Sequence, residues 1–205
     1  MPDGTVRSAS LSTTLAGVLW PRQAAVAAEL LRAAVLALAG TLLLTVSAKV
    51  QVPFYPVPMT MQTLVVLMLG AAYGWRLGTA TVALYLVEGA FGLPVFAGTP
   101  EKGIGVPYML GPTGGYLIGF VLGAALTGFL AEHGWGRSVG RVFVAMALGH
   151  LAVFVAGFAW LAVLFGAEKA WVVGVAPFYW ATLLKTALGA ALMPGLWSMA
   201  ARRGA

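Results

Sequence analysis

Two charged side chains stand inside otherwise apolar stretches: Glu88 and Lys185. A charge within such a stretch is expensive, so each is by default a candidate for function. The Lys185 ammonium brings three hydrogen-bond donors, which could meet Glu88 or an anionic ligand; its stem could equally carry it toward the surface. Thr182 lies three residues earlier, on the same helical face, and offers a hydroxyl. Glu88 could instead be a protonated or hydrogen-bonded acid near the interface, since Pro94 follows closely. His150 is alone in its apolar run and His133 falls in a different segment, so a packed histidine is expected and a metal site is not. Cysteine is absent, which excludes disulfides, thiolate metal sites and cysteine nucleophiles. No nucleophile elbow or paired carboxylates occur, and the glycine-rich Gly111-Pro-Thr-Gly-Gly-Tyr116 follows no strand and lacks the lysine of a phosphate-binding loop. No catalytic residues are expected, and no motif for ATP hydrolysis is visible.

The elements that must position these groups are membrane helices. Hydrophobic residues make up 60% of the chain and charged residues 9%, against about 25% charged in a soluble domain; mean hydropathy is +0.92. Folded surfaces in water need more polar cover than this. The 27 glycines suit close helix packing in a bilayer. Apolar runs between breaks predict six spans, at about Leu31–Ala48, Met59–Tyr73, Leu77–Leu93, Thr113–Ala131, Val142–Phe165 and Pro177–Ala201. The second is short for a perpendicular span and calls for shielding by its neighbours. Residues 1–29 are expected to form a cytoplasmic N-terminal tail, flexible through Pro21, with the membrane domain over 30–201 and a short tail at 202–205.

Direction follows from the cations. With the N-terminus in the cytoplasm, Arg7, Arg22, Arg32, Arg76, Arg137, Arg141, Arg202 and Arg203 all fall inside, and Lys49, Lys102 and Lys169 fall outside. Both termini are therefore expected in the cytoplasm, at the plasma or inner membrane. The net charge of +6 reads as this topology; no aromatic-interleaved basic patch points to nucleic acid. The outer loops are proline-rich after the first span and glycine-rich over 95–112, which suggests a binding site on the outer face. Ala33, Ala37 and Thr41 recur at four-residue spacing in the first span. Small residues so spaced let helices approach closely, either inside the bundle or against another subunit.

Pro56-Val-Pro-Met-Thr-Met-Gln-Thr63, Gly92-Leu-Pro-Val-Phe-Ala-Gly98, Leu110-Gly-Pro-Thr-Gly-Gly-Tyr-Leu-Ile-Gly-Phe120 and Leu183-Leu-Lys-Thr186, in this order and spacing, resemble the BioY family, the biotin-specific S-components of energy-coupling-factor (ECF) transporters. The resemblance covers roughly residues 30–200. It implies an all-α, six-helix S-component fold whose outward pocket is capped by the outer loops and lined by helices 4 to 6. It implies high-affinity biotin uptake with a transmembrane coupling subunit and two cytoplasmic ATPases, with no cofactor and no enzymatic role for this chain. Carried over residue by residue, Lys185, Tyr116 with its preceding glycines, Gly98 and Gln62 fall on the family's ligand-binding motifs, and Ala33, Ala37 and Thr41 would dock on the coupling subunit. Thr182 stands where members often carry an acid, Leu117 where some carry a base, and the 99–102 segment is poorer in glycine than is usual. Glu88 matches no motif of the family.

Biotin, a fused ureido–thiophane ring bearing a valeryl carboxylate, suits an apolar pocket with a few placed polar groups. Phe96, Tyr108 and Tyr116 could cover the ring faces, and Lys185 could serve either the carboxylate or the ureido oxygen. The alternatives are an S-component for another vitamin, an intramembrane enzyme acting on lipid or peptide, and a structural membrane subunit.

Overall fold

The computed structural model describes residues 13–52 and 57–203, without the side chains of Val52 and Arg203. Arg7, Pro56 and the Arg203 side chain, named above, lie outside the described residues. The chain runs α1 (Leu15–Leu19), α2 (Val26–Lys49), β1 (Gln51–Val52), β2 (Met59–Thr60), α3 (Gln62–Tyr73), α4 (Trp75–Ala90), α5 (Gly105–Met109), α6 (Gly114–Glu132), α7 (Val139–Phe165), α8 (Ala167–Gly174) and α9 (Tyr179–Arg203). Single 3-10 turns, Trp135–Arg137 and Ala176–Phe178, precede α7 and α9. Apart from the antiparallel β1–β2 hairpin, the described fold is all α.

Among the described residues, four helical stretches are long and apolar enough to cross a membrane: α2, α6, α7 and the one that ends in α9. Large apolar side chains such as Leu38, Leu42, Leu151, Val163 and Leu184 cover their outward faces, the arrangement that lipid permits and water does not. At its center, α6 packs against α3, α4 and α7. Gly115, Gly119 and Gly123 face α7 directly; a side chain at 119 would begin 2.7 Å from the Val153 Cα. The 12 residues of α3 extend about 18 Å, short of the ~30 Å hydrocarbon layer. Packing resolves this: Leu64, Val66, Leu67, Leu69 and Ala71 are all buried among α4, α6 and α9. The helix starts at Gln62 rather than Met59 because Met59 and Thr60 pair with β1.

Two expectations are corrected. Within the segment through Pro21, residues 14–20 are not loose. Thr14 caps α1, accepting from the Gly17 N–H at 3.2 Å, and Leu15, Ala16 and Gly17 are buried. Arg32, only 4% exposed, is the physical reason: its guanidinium donates to Trp20 O at 2.7 Å, Ala16 O at 3.3 Å and Glu29 at 2.9 Å. A buried arginine needs acceptors, and the carbonyls at the end of a short helix supply them, that of Ala16 being shared with the Trp20 N–H.

The second correction concerns the small-residue stripe of α2. Ala33 is half-buried, and Ala37 and Thr41 are buried, on the side of α2 that packs against α3 and α4. Four-residue spacing has produced close packing within this chain. The surface that α2 leaves open is the opposite, larger-residue one, with Leu31, Val35, Leu38, Leu42 and Val46.

Candidate binding site at the capped end of the bundle

At the end of the bundle away from α1, the hairpin, the 95–99 loop, α5 and the starts of α3, α6 and α9 close around a cavity. It encloses about 590 Å³ of unfilled space counting its mouth, of which about 50 Å³ admits the center of a water molecule. The side chains are drawn in, so a bicyclic ligand requires them to move outward. Its walls are apolar and aromatic: Phe96, Tyr116, Phe120, Phe154 and Phe178.

The polar groups gather on one edge. Lys185, on α9 and 8% exposed, donates to Thr60 O at 2.6 Å and to Thr63 Oγ1 at 3.3 Å. Its third donor has no partner among the described residues. Thr182 lines the cavity one turn earlier on the same helix. Gln62 is buried at the first turn of α3, and its Nε2 donates to the Tyr85 hydroxyl at 2.6 Å; that hydroxyl in turn donates to Val95 O at 2.8 Å. The Gln62 Oε1 is left without a partner among the described residues. The edge thus combines a cationic donor with neutral acceptors.

Tyr116 supplies a ring but not a free hydroxyl, because its O–H donates to Gly174 O at 2.6 Å and ties α6 to the end of α8. Gly98 lies outside the lining and shapes the cap: it adopts φ +71°, which a side chain would strain, and the Lys102 stem rests where its Cβ would be. Glu88 is half-buried on α4, outside the cavity, and does not meet Lys185; the one ion pair among the described residues is Arg32–Glu29. His150 is buried beside the site, with Nδ1 3.0 Å from both Met146 O and Thr186 Oγ1. Lys185, Gln62, Thr182 and Tyr116 therefore meet at one cavity, while Gly98 and Glu88 do not reach it.

Sequence reasoning missed how the cap is held. Lys49 registers there only as an outside charge. Its Nζ donates to Phe96 O at 3.0 Å, Thr99 O at 2.9 Å and Thr99 Oγ1 at 3.1 Å. With Tyr85 on Val95 O and Tyr108 donating to Ala97 O at 2.8 Å, the carbonyls of residues 95, 96, 97 and 99 are all met by side chains. Burial raises the Tyr108 phenol above its usual range and keeps it a donor. Phe96, pinned by this loop, stacks on Tyr108 with centroids 5.1 Å apart and meets Tyr85 edge-on at 5.4 Å. The one available signal was a lone cation ending an apolar helix next to the proline-rich loop. Lys49→Met leaves Thr99 O without its ammonium, which should cost about 1–3 kcal/mol. Thermal unfolding in detergent should show a lower Tm, and an unchanged Tm would mean that the loop stands without Lys49.

Comparison with known proteins supplies the family. A biotin transporter BioY of Thermotoga maritima is 40% identical over 156 residues, covering 73% of this chain and 86% of that protein. A probable biotin transporter BioY of Pyrococcus horikoshii is 36% identical over 145 residues, covering 71% of this chain and 83% of its own length. Among solved structures, the crystal structure of an S-component for biotin from an ECF-type ABC transporter superposes with a TM-score of 0.69 over 85% of this chain and 95% of that one, at 23% identity. The shared architecture is that of a multi-pass, all-α membrane protein with an S-component-like fold. The BioY family pattern itself runs across residues 13–202, from ahead of α1 to the last turn of α9, and the chain belongs to that family.

Proposed function

We propose that this chain is the biotin-binding S-component of an ECF transporter and captures biotin for high-affinity uptake. The carrying observation is the aromatic cavity edged by Lys185, Gln62 and Thr182, in a BioY-family chain whose relatives are named biotin transporters. An apolar wall with a few convergent polar groups is what a compact bicyclic ligand needs. Lys185, Thr182, Gln62 and the Tyr116 ring hold the ligand, with Gly98 shaping the cap. The chain binds and moves its ligand rather than transforming it. Family membership supports assembly with a transmembrane coupling subunit and two cytoplasmic ATPases. A docking subunit would meet the lipid-facing surface of α2, because Ala37 and Thr41 are occupied internally.

The membrane domain consists of six spans, α2, α3, α4, α6, α7 and α9, with both termini in the cytoplasm and the cavity outside. Arginines at one end of these helices, and Lys49, Lys102 and Lys169 at the other, support that direction.

The test is equilibrium binding of labelled biotin to the purified chain, with other vitamins as competitors. Displacement by unlabelled biotin alone is expected; selective binding of another vitamin would keep the fold and change the cargo, and no binding at all would leave a structural subunit. Direction is checked in the same cysteine-free background. In intact cells, Lys102→Cys should react with a membrane-impermeant maleimide and Arg202→Cys should not, and the reverse pattern would invert the orientation.

A further inference from the structure

The cavity has a cation only at its deep edge. Among its lining residues, Lys185 alone carries a positive charge, and two of its donors already serve Thr60 and Thr63. Next to it stand acceptors, the Gln62 Oε1 and the Thr182 hydroxyl. This mixture suits a cyclic urea, which presents one acceptor oxygen and two N–H donors. It suits a carboxylate poorly, because a carboxylate only accepts and would face the Gln62 oxygen. Beyond that edge the walls are Leu117, Phe120 and Phe154. A buried carboxylate without full pairing costs several kcal/mol, so the cheaper place for an anion is the mouth, where water remains.

A second, smaller recess lies beside the cavity. It shares Pro58, Tyr108 and Thr113 with the cavity, which makes the two spaces neighbours across one wall. Its only charged lining residue is Lys102. Lys102 is exposed, and its stem lies along the turn at Gly98. Gly98 has no side chain where the Lys102 stem lies; a Cβ there would fall 2.8 Å from Lys102 Cδ. The backbone turn is closed by the Lys102 N–H donating to Gly98 O at 2.8 Å. Glu101 is exposed beside it but forms no ion pair with it among the described residues.

We propose that Lys102 recognises the carboxylate: the neutral ureido head lies deep against Lys185, and the anionic end of the same ligand stays at the mouth, held by the Lys102 ammonium. This rests on the biotin reading above. Lys102 is then a specificity residue for the charged tail, while Lys185 serves the ring.

The experiment compares biotin with its methyl ester, which keeps ring and chain and loses the charge, on the full chain in detergent. Lys102→Gln should raise the Kd for biotin by about five- to tenfold and leave the ester within about twofold. Lys102→Arg should restore biotin binding. Added salt should weaken biotin binding to the unsubstituted protein and not to Lys102→Gln. Equal weakening of biotin and ester would make Lys102 a cap residue and overturn the proposal, as would no weakening of either. An unsubstituted protein that binds no biotin removes the biotin reading before any variant is compared; one that binds biotin while Lys102→Gln behaves normally removes only the role of Lys102.

Discussion

Lys185→Met is expected to raise the Kd for biotin by about 100-fold, the largest single effect on binding in this molecule. The substitution keeps an unbranched stem and removes the one cation on the cavity lining. The ligand then loses a charge-assisted hydrogen bond, and its own polar atom enters an apolar wall unpaired. Thr60 O also loses its 2.6 Å partner, so Tm should fall slightly. Thr63→Val separates the two effects, because it removes only the weaker 3.3 Å contact and leaves the ammonium in place. A few-fold change is expected there. Isothermal titration of both variants, with circular dichroism to show that each is folded, decides the matter. A folded Lys185→Met that binds as the original does would take Lys185 out of the site.

Phe96→Ala carries the second large effect, on both stability and binding. The ring is 1% exposed and wedged between Tyr108 and Tyr85, and it also lines the cavity. Removing a buried aromatic ring costs about 3–5 kcal/mol, and here the loss falls in the cap. Tm should drop clearly, and biotin should dissociate faster because the wall above it is gone. Phe96→Leu, which refills most of the volume, should recover most of the Tm and less of the residence time. Equal Tm for Phe96→Ala and the original would show that the loop, not the ring, closes the site.

Much of this was readable in the residues. A charge in an apolar run has few harmless explanations, so Lys185 announced itself, and so did the helices around it. Glu88 obeyed the same rule and yet lies outside the cavity, because on α4 it sits partly open at the helix flank. Small residues four apart in α2 promised close packing but carried no information on whose helix would be met, and the partners proved to be α3 and α4 of the same chain. The packing of α1 depended on Arg32 finding the carbonyls of Ala16 and Trp20, a match between distant residues that no periodicity encodes. Lys49 escaped notice for the same reason: its partners are backbone oxygens some 50 positions on, and every residue has a backbone oxygen.

Apart from Thr99, which donates its N–H and hydroxyl to Phe96 O, the 95–99 loop is held from outside, its carbonyls met by Lys49, Tyr85 and Tyr108, one from each of α2, α4 and α5. Its shape is thus a readout of how those helices are spaced. If α2 slides along α4 by little more than the reach of one hydrogen bond, Lys49 lets go and the lid slackens, although nothing has touched the lid itself. Because α2 also presents a broad greasy flank to the bilayer, a push delivered there would be felt at the mouth of the site. The lid and that flank are thus joined through a single ammonium.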